Sequence, residues 1–274
     1  MKAVCYVCPH GCSLEEGKTG ICRARKNVDG QIISVNYGKI TGLAVDLIEK
    51  KPLKRFYPGS PILSVGSYGC NLRCSFCQNH DISMKGEEEA NWVSMSPQDL
   101  AMRAIFLKGK GNLGLAYTYN EPCVGYEYVL DTARLIRDAG MKNVLVTNGC
   151  VNSWVTDEVF PWMDAMNIDL KGFTQEHYRR LGGDLDTVKA FIEKAVRYCH
   201  VELTTLLVPG EHGEGELEEL VSWVAELSPD IPLHISRFFP RWQMTDKEAT
   251  SVESIWRVVE MAKEKLHYVY PGNC

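Results

Sequence analysis

The sequence predicts an α/β fold, namely a partial parallel barrel of the (β/α)6 type that follows a small cysteine-rich, metal-binding segment. From about residue 61 onward, strand-like and helix-like stretches alternate, a pattern typical of parallel sheets with crossover helices. The residues before that point are rich in Cys, Gly and Lys, show little long periodicity, and end in the turn-rich stretch RFYPGSP. We therefore predict two parts, a segment at residues 1–60 with a metal site and a barrel at residues 61–274.

The units of the barrel follow from local signals in chain order. The first strand is predicted at ILSVGS and leads into a loop with three cysteines. Ser96 as N-cap, Pro97 at the first helical position and Gly109 near the end predict the first helix. Later strands are predicted at LGLAYTY, KNVLVTNG, AMNIDLKG, HVELTTLLVPG and IPLHISRF, with HYVYPG as a short last one. The helices between them are predicted at VGYEYVLDTARLIRDAG, residues 153–163, DTVKAFIEKAVRYC, GELEELVSWVAEL and VESIWRVVEMAKEK.

Composition and charge narrow the class of protein. The net charge of −5, from 30 Lys and Arg against 35 Asp and Glu, argues against a long nucleic-acid footprint, which usually requires a basic surface. No apolar run approaches the roughly 20 residues that a membrane helix requires, and the first residues lack the pattern of a signal peptide. We therefore expect a cytoplasmic protein with no membrane partner, whose 11 cysteines serve metal binding more than disulfides.

Three thiols crowd the loop after the first predicted strand. Cys70, Cys74 and Cys77 have the spacing C-x3-C-x2-C. Structural zinc sites are normally closed by four ligands, and simple iron–sulfur clusters usually take four cysteines. Three thiolates can instead hold three corners of a [4Fe–4S] cluster and leave the fourth iron open for a substrate or cosubstrate. The alternative is a loop zinc site completed by a distant His or Cys.

Polar stretches end the other predicted strands. They are TYNEP, TNG, DLKG and ISRF, which follow the second, third, fourth and sixth strands. In barrels of this class the chemistry takes place at the carboxyl ends of the strands. Each stretch alone is a weak signal, but together they predict a polar, cysteine-bearing mouth at one end of the barrel.

The cysteine motif in this position resembles that of the radical SAM superfamily. Further stretches, CPHGC, GKTGIC, KITGLAVDLIEKKPL, GCNLRCSFCQNHDIS, YTYNEP, VTNG, NIDLKGF and YVYPGN, resemble the radical SAM protein of the AmmeMemoRadiSam system, a relative of the pyruvate formate-lyase activating enzymes. The resemblance implies a [4Fe–4S] cluster whose open iron is chelated by S-adenosylmethionine (SAM). It implies reductive cleavage of SAM to a 5′-deoxyadenosyl radical that abstracts hydrogen from a substrate, which is not specified. An electron donor such as ferredoxin or flavodoxin is implied as a partner.

The resemblance also implies a set of SAM-binding side chains at the strand ends: Phe76, Asn120, Glu121, Asn148, Asp169, Lys171, His234 and Arg237. Phe76 corresponds to the aromatic residue that lies near the adenine. Asn120 and Glu121 replace the glycine-rich stretch that meets the amino group of SAM. Lys171 is expected to bind the SAM carboxylate. For His234 a hydrogen-bonded core histidine is an equally good interpretation.

A second group of cysteines lies near the start of the chain. Cys5, Cys8, Cys12 and Cys22 have the spacing C-x2-C-x3-C-x9-C. Four thiolates suit a closed site, and a segment of about 60 residues with little core benefits from a metal. The spacing does not choose between structural zinc and an auxiliary iron–sulfur cluster.

Three further cysteines follow predicted strands. Cys123, Cys150 and Cys274 are expected near the mouth, where a thiol could ligate a cluster or donate a hydrogen atom; the alternative is that they are small packing residues. Two other functions stay open from the sequence. One is a glycyl-radical-enzyme activase that acts on a protein partner, and the other is a zinc-stabilised binding module without catalysis.

Overall fold

Short antiparallel strand pairs organise the N-terminal part of the computed structural model, which describes residues 1–213 and 215–274. The strands are β1 (Ala3–Val4), β2 (Ser13–Leu14), β3 (Arg25–Val28), β4 (Gln31–Ser34) and β5 (Lys39–Ile40). β1 pairs with β2, and β3 pairs with β4. The first hairpin brings two cysteines of the N-terminal group together, since the Cys5 amide donates to the Cys12 carbonyl at 2.9 Å.

The central sheet contains seven parallel strands and one antiparallel edge strand. The strands that follow in the chain are β6 (Gly42–Leu47), β7 (Pro61–Gly66), β8 (Val93–Ser94), β9 (Gly114–Tyr117), β10 (Lys142–Thr147), β11 (Ala165–Asp169), β12 (His200–Leu207), β13 (Leu233–Arg237) and β14 (Val269–Gly272). The order across the sheet is β14-β13-β12-β11-β10-β9-β7-β6, and the small strand β8 pairs with β5. β6 runs antiparallel to β7, whereas all other neighbours are parallel. The sheet is open at β6 and β14, which confirms the predicted partial barrel.

Helices connect the parallel strands. They are α1 (His80–Ser83), α2 (Pro97–Lys108), α3 (Tyr126–Asp138), α4 (Ser153–Val159), α5 (Gln175–Arg180), α6 (Leu185–Ala195), α7 (Glu216–Leu227) and α8 (Val252–Lys263). Single 3-10 turns occur at Ile48–Lys50, Pro122–Gly125 and Phe160–Trp162. The predicted start of α2 is confirmed, because the Ser96 side chain accepts from the Asp99 amide and Pro97 is the first helical residue.

The core lies between the sheet and the inner faces of the helices. All four residues of β9 are buried, as expected for a parallel strand covered on both faces. On α3 the buried residues Val129, Ala133 and Ile136 recur at helical spacing and face the sheet. No helix within the two described ranges is long and apolar enough to cross a membrane.

Strand β6 is a feature that the sequence did not predict. Its six residues lie within residues 1–60 yet pair with β7 over the whole length of that strand. The stretch GLAVDL has no clear alternation, and Val45 and Leu47 are both 51% exposed. The N-terminal part therefore supplies an edge strand to the barrel sheet, while the boundary near residue 60 stays a prediction.

Candidate active site at the carboxyl ends of the strands

The three-cysteine loop connects β7 to α1 at the carboxyl edge of the sheet. Within it the Cys77 amide donates to the Cys74 carbonyl at 3.1 Å, and the Leu72 amide approaches the Cys70 sulfur at 3.4 Å. The Arg73 amide donates to the Leu181 carbonyl at 2.7 Å, which joins the loop to the segment after α5. The loop thus has a defined shape and a fixed position on the barrel.

The spacing of the thiols bears on the kind of metal group that they suit. Among the residues that the structure describes, no three cysteine sulfurs lie within 4.8 Å of one another. A tetrahedral zinc ion with Zn–S bonds of about 2.3 Å would bring its sulfur ligands to about 3.8 Å. Neither cysteine group therefore has the sulfur spacing of a formed zinc site in this structure.

An ion pair lies at the end of β11, beside the cysteine loop. The Lys171 ammonium lies 3.0 Å from the Asp169 carboxylate, and the side chain of Lys171 is only 16% exposed. Burial disfavours the Lys171 ammonium, but Asp169 and the nearby Cys74 outweigh it and raise the pKa of Lys171. Burial raises the pKa of Cys74 to about 11, and Lys171 opposes that shift. The mouth thus holds a buried positive charge next to the thiols.

Glu121 joins the ends of β9 and β10. Its Oε1 accepts from the Cys123 amide at 3.0 Å and the Thr147 hydroxyl at 2.7 Å, and its Oε2 accepts from the Asn148 amide at 2.7 Å. The residue is 1% exposed, and burial raises its pKa. Both carboxylate oxygens are thus engaged by the protein, so Glu121 organises the mouth, and its predicted contact with SAM stays a prediction.

Two amide side chains brace the cysteine loop. Asn120 accepts from the Ser67 amide at 3.0 Å and donates to the Gly69 carbonyl at 3.1 Å. Asn148 donates to the Asn71 side chain at 3.0 Å and points toward the Cys70 sulfur at 3.6 Å. Both residues thus have a structural role beside the cysteine loop, and their predicted binding of SAM stays a prediction.

The remaining predicted SAM-binding residues divide into two groups. Phe76 is buried in the cysteine loop, and Arg237 ends β13 with its Nε donating to the Thr250 carbonyl at 2.6 Å. His234 lies elsewhere, because its Nε2 is 2.6 Å from Glu202 in the amino-terminal half of β12. His234 is therefore a hydrogen-bonded core histidine. Its contacts do not match the expectation that it closes the mouth.

The three scattered cysteines do not form one group. Cys123 and Cys150 are buried beside Glu121 and Asn71, and burial raises the pKa of both thiols, that of Cys150 to about 12. Cys274 is exposed after β14, at the sheet edge farthest from β6. A role in chemistry for any of them stays a prediction.

The N-terminal cysteines lie against the mouth. Burial raises the pKa of Cys8 to about 12, and the charges of Cys22, Cys5 and Cys12 act in the same direction, so the four thiols are neighbours. The ring of His10 donates from Nε2 to the Asn71 carbonyl at 2.9 Å, directly beside Cys70. The N-terminal segment therefore covers one side of the three-cysteine loop.

The loop between β13 and α8 covers the other side, which the sequence did not predict. The Gln243 amide donates to the Ser75 carbonyl at 3.1 Å, and the rings of Trp242 and His80 stack at 5.5 Å. The stretch RWQM carries no metal or binding motif. Only its unusual density of large polar and aromatic residues after a strand could have suggested this contact.

Comparison with known proteins agrees with this geometry. The family model described as the radical SAM superfamily matches residues 64–224. An uncharacterized protein of Methanocaldococcus jannaschii is 38% identical over 283 residues, covering 99% of this chain and 81% of the relative. The pyruvate formate-lyase-activating enzyme of Clostridium pasteurianum is 25% identical over 116 residues, covering 42% of this chain and 48% of that enzyme.

Solved structures share the fold. Streptococcus suis SuiB superposes with a TM-score of 0.60 at 14% identity over 76% of this chain, which spans about half (48%) of SuiB. Methylornithine synthase superposes with a TM-score of 0.54 at 16% identity, over 78% of this chain and 66% of that protein.

Proposed function

Because the chain belongs to the radical SAM superfamily, we propose that Cys70, Cys74 and Cys77 hold its [4Fe–4S] cluster at the carboxyl end of β7. One observation carries the proposal: three thiols lie on one loop at the mouth, beside the buried charge of Lys171. As a radical SAM enzyme, the protein uses the reduced cluster to cleave SAM to a 5′-deoxyadenosyl radical, which abstracts hydrogen from its substrate. Membership of this family argues against a non-catalytic zinc module.

The residues around the thiols suit the binding of an amino acid cosubstrate. Lys171 offers a charged donor for the SAM carboxylate, and Asp169 holds that ammonium in place at 3.0 Å. Phe76, in the same loop as the thiols, offers an aromatic surface for the adenine. Arg237 lies at the end of β13. In the sheet order, β13 and the cysteine-bearing strand β7 lie on opposite sides of β11, which leads to Lys171. In this proposal Asn120, Glu121 and Asn148 position the loop and meet SAM through their backbone or remaining polar atoms.

The substrate of the radical is either a protein or a small molecule. The similarity to a pyruvate formate-lyase-activating enzyme favours a glycyl-radical-enzyme activase, whereas a small-molecule substrate is the other possibility. Radical SAM catalysis needs a reductant, and we infer a one-electron donor of the ferredoxin or flavodoxin class.

The N-terminal cysteines form a second metal site in this proposal. Cys5, Cys8, Cys12 and Cys22 are neighbours, and four thiolates suit either structural zinc or an auxiliary iron–sulfur cluster. In this proposal the second site adjoins the first, because His10 of this segment contacts the Asn71 carbonyl.

Cys123, Cys150 and Cys274 keep their proposed role in chemistry, for which the buried thiols near Glu121 are the better candidates. The test is to replace each by Ser and to measure iron per chain and substrate turnover. If all three variants keep full iron and full turnover, these cysteines are packing residues.

Metal and sulfide counts on anaerobically reconstituted protein test the site assignment. Replacement of Cys70, Cys74 or Cys77 by Ala should remove about four iron atoms and four sulfides per chain. The Cys199→Ala variant, which changes a partly buried cysteine outside both groups, is the matched control and should keep them. An unchanged iron count in the loop variants would place the cluster elsewhere.

A further inference from the structure

Two histidines and a glutamate converge near the end of β11, in a group that contains no cysteine. His177 lies on α5, His212 follows β12, and Glu216 is the first residue of α7. One side-chain ligand atom of each lies within 4.8 Å of the other two. No motif that the sequence analysis singled out includes these three residues.

Backbone carbonyls fix the tautomer of each imidazole. His177 donates from Nδ1 to the Glu211 carbonyl at 3.3 Å, and His212 donates from Nε2 to the Leu206 carbonyl at 3.0 Å. A carbonyl oxygen can only accept, so in each neutral ring the other nitrogen carries a lone pair. Such an outer hydrogen bond is the usual way in which a metal-binding histidine is oriented.

The two lone-pair nitrogens are buried without a hydrogen-bond partner. Within the part of the chain that the structure describes, neither His177 Nε2 nor His212 Nδ1 has a partner. His177 is 2% exposed, and the side chains of His212 and Glu216 are 5% and 4% exposed. A buried polar atom left unpaired destabilises the fold, so two such nitrogens within reach of one point indicate a ligand.

Glu216 completes the donor set without satisfying the histidines. Its Oε1 accepts from the Phe173 amide at 2.6 Å, and its Oε2 accepts from the Gly213 amide at 2.8 Å, which holds the carboxylate still. His212 Nδ1 lies 3.9 Å from Oε1, too far for a hydrogen bond. Burial lowers the pKa of His177, which favours the neutral form of its ring.

We propose that His177, His212 and Glu216 bind a divalent transition-metal ion, with zinc as the ion to test. Two imidazoles and one carboxylate are a donor set that zinc and non-heme iron both accept, and a water molecule supplies the fourth ligand. The ion joins α5, the loop after β12 and the start of α7, so it acts as a clamp on the rim of the barrel.

The proposed metal site adjoins the end of β11, where SAM is proposed to bind. A Cβ on Gly172, one residue after Lys171, would lie 2.8 Å from the His177 ring and 2.9 Å from Glu216 Oε1. The segment after α5 also holds the cysteine loop through the bond from the Arg73 amide to the Leu181 carbonyl. The metal ion therefore fixes the position of α5 against both the DLKG strand end and the three-cysteine loop.

Zinc content, measured without reference to SAM cleavage, tests the proposal. Cluster-loaded protein is incubated with Zn²⁺, freed of unbound metal, and assayed for zinc, iron and sulfide per chain. His177→Gln and His212→Asn should each hold about one zinc equivalent less than the wild type, with iron and sulfide unchanged. His267→Asn, at a largely exposed histidine, is the control and should match the wild type.

A second measurement covers the case in which a variant does not fold. In the wild-type protein, added Zn²⁺ should raise the melting temperature, since an ion that binds only the folded state stabilises it. Zinc bound at the N-terminal cysteines would appear equally in wild type and variants, so the difference between them isolates the histidine site. If wild type and both variants hold the same zinc, or if Zn²⁺ leaves the wild-type melting temperature unchanged, the two histidines are a packing pair and the proposal fails.

Discussion

The carbonyl oxygen of Cys22 lies against Gly69, where a Cβ on that glycine would be only 2.5 Å away. Gly69 also has φ +91°, a conformation that side chains rarely adopt. This contact joins the N-terminal cysteine segment to the residue immediately before Cys70. The two cysteine groups are therefore held together by a backbone-to-backbone contact that only glycine allows.

Replacement of Gly69 by Ala should disturb both cysteine groups. Gly17 is a matched control, because it also has positive φ (+73°) but has open space around it. Both variants carry the backbone strain of a left-handed alanine, about 1–2 kcal/mol, but only Gly69→Ala must also move a carbonyl. We expect a larger fall in melting temperature and in iron content for Gly69→Ala than for Gly17→Ala. Equal effects of the two substitutions would show that the contact is not important.

Lys171→Ala should weaken SAM binding while the cluster still assembles. A charge-assisted hydrogen bond contributes about 1.5–3 kcal/mol, so the Kd for SAM should rise about 10- to 150-fold. The control is Lys142→Ala, which breaks a similar pair with Asp164 (2.8 Å) at the opposite, amino-terminal end of the sheet. Equilibrium binding of SAM to reconstituted protein measures both. An unaltered affinity in Lys171→Ala would remove this lysine from the site.

Cys8→Ala should remove metal from the N-terminal site and leave the three-cysteine loop loaded. Cys8 is buried among the other three thiols, so its loss opens a closed site and should lower the melting temperature. The measurement is the metal and sulfide content per chain of Cys8→Ala, compared with that of the control Cys199→Ala. Should Cys8→Ala and the control contain the same metal, the four cysteines are not a site.

Stability at acid pH should depend on Glu202. Burial alone would raise the pKa of this carboxyl, but His200, His234 and the Lys54 and Arg55 amides outweigh it and lower the pKa to about 2. A lowered carboxyl pKa stabilises the fold above the ordinary value near 4.5, and that contribution is lost as the pH falls toward 2. Between pH 6 and pH 3 the loss should be about 2 kcal/mol.

Urea unfolding of wild type and Glu202→Gln at both pH values measures this effect. The variant carries no titrating carboxyl at this position, so its stability should fall less over the same pH range. Acid loss of the clusters affects both proteins alike and cancels in the difference. If the stability difference between the two proteins is the same at pH 6 and pH 3, Glu202 does not titrate as described.

The barrel was predictable because its signals are local. Caps such as Ser96 with Pro97, helical spacing in α3 and short apolar strands each specify their own element. Strand β6 was not predicted for two reasons. Its antiparallel partner β7 follows only after a connecting turn, and the exposed residues of β6 are apolar, so the strand shows no alternation of polar and apolar residues.

The part of the candidate site most open to prediction was the cysteine loop, whose residues share one short segment. Cys70, Cys74 and Cys77 lie within eight residues, so their spacing alone predicts a metal site. His177 and His212 are 35 residues apart and meet only when β11 and β12 pair in register. His212 and Glu216 do stand four residues apart, which is the one local sign of that cluster. His234 was ambiguous because its partner, Glu202, lies on the neighbouring strand.

The proposed function depends on reductive cleavage of SAM at the three-cysteine loop. The most direct measurement is the amount of 5′-deoxyadenosine and methionine formed when anaerobic, reconstituted protein is reduced in the presence of SAM. Wild type and Cys199→Ala should form both products in equal amounts, whereas Cys74→Ala should form neither, because two thiolates do not hold a stable cluster. Cleavage by Cys74→Ala at the wild-type rate would contradict the assignment.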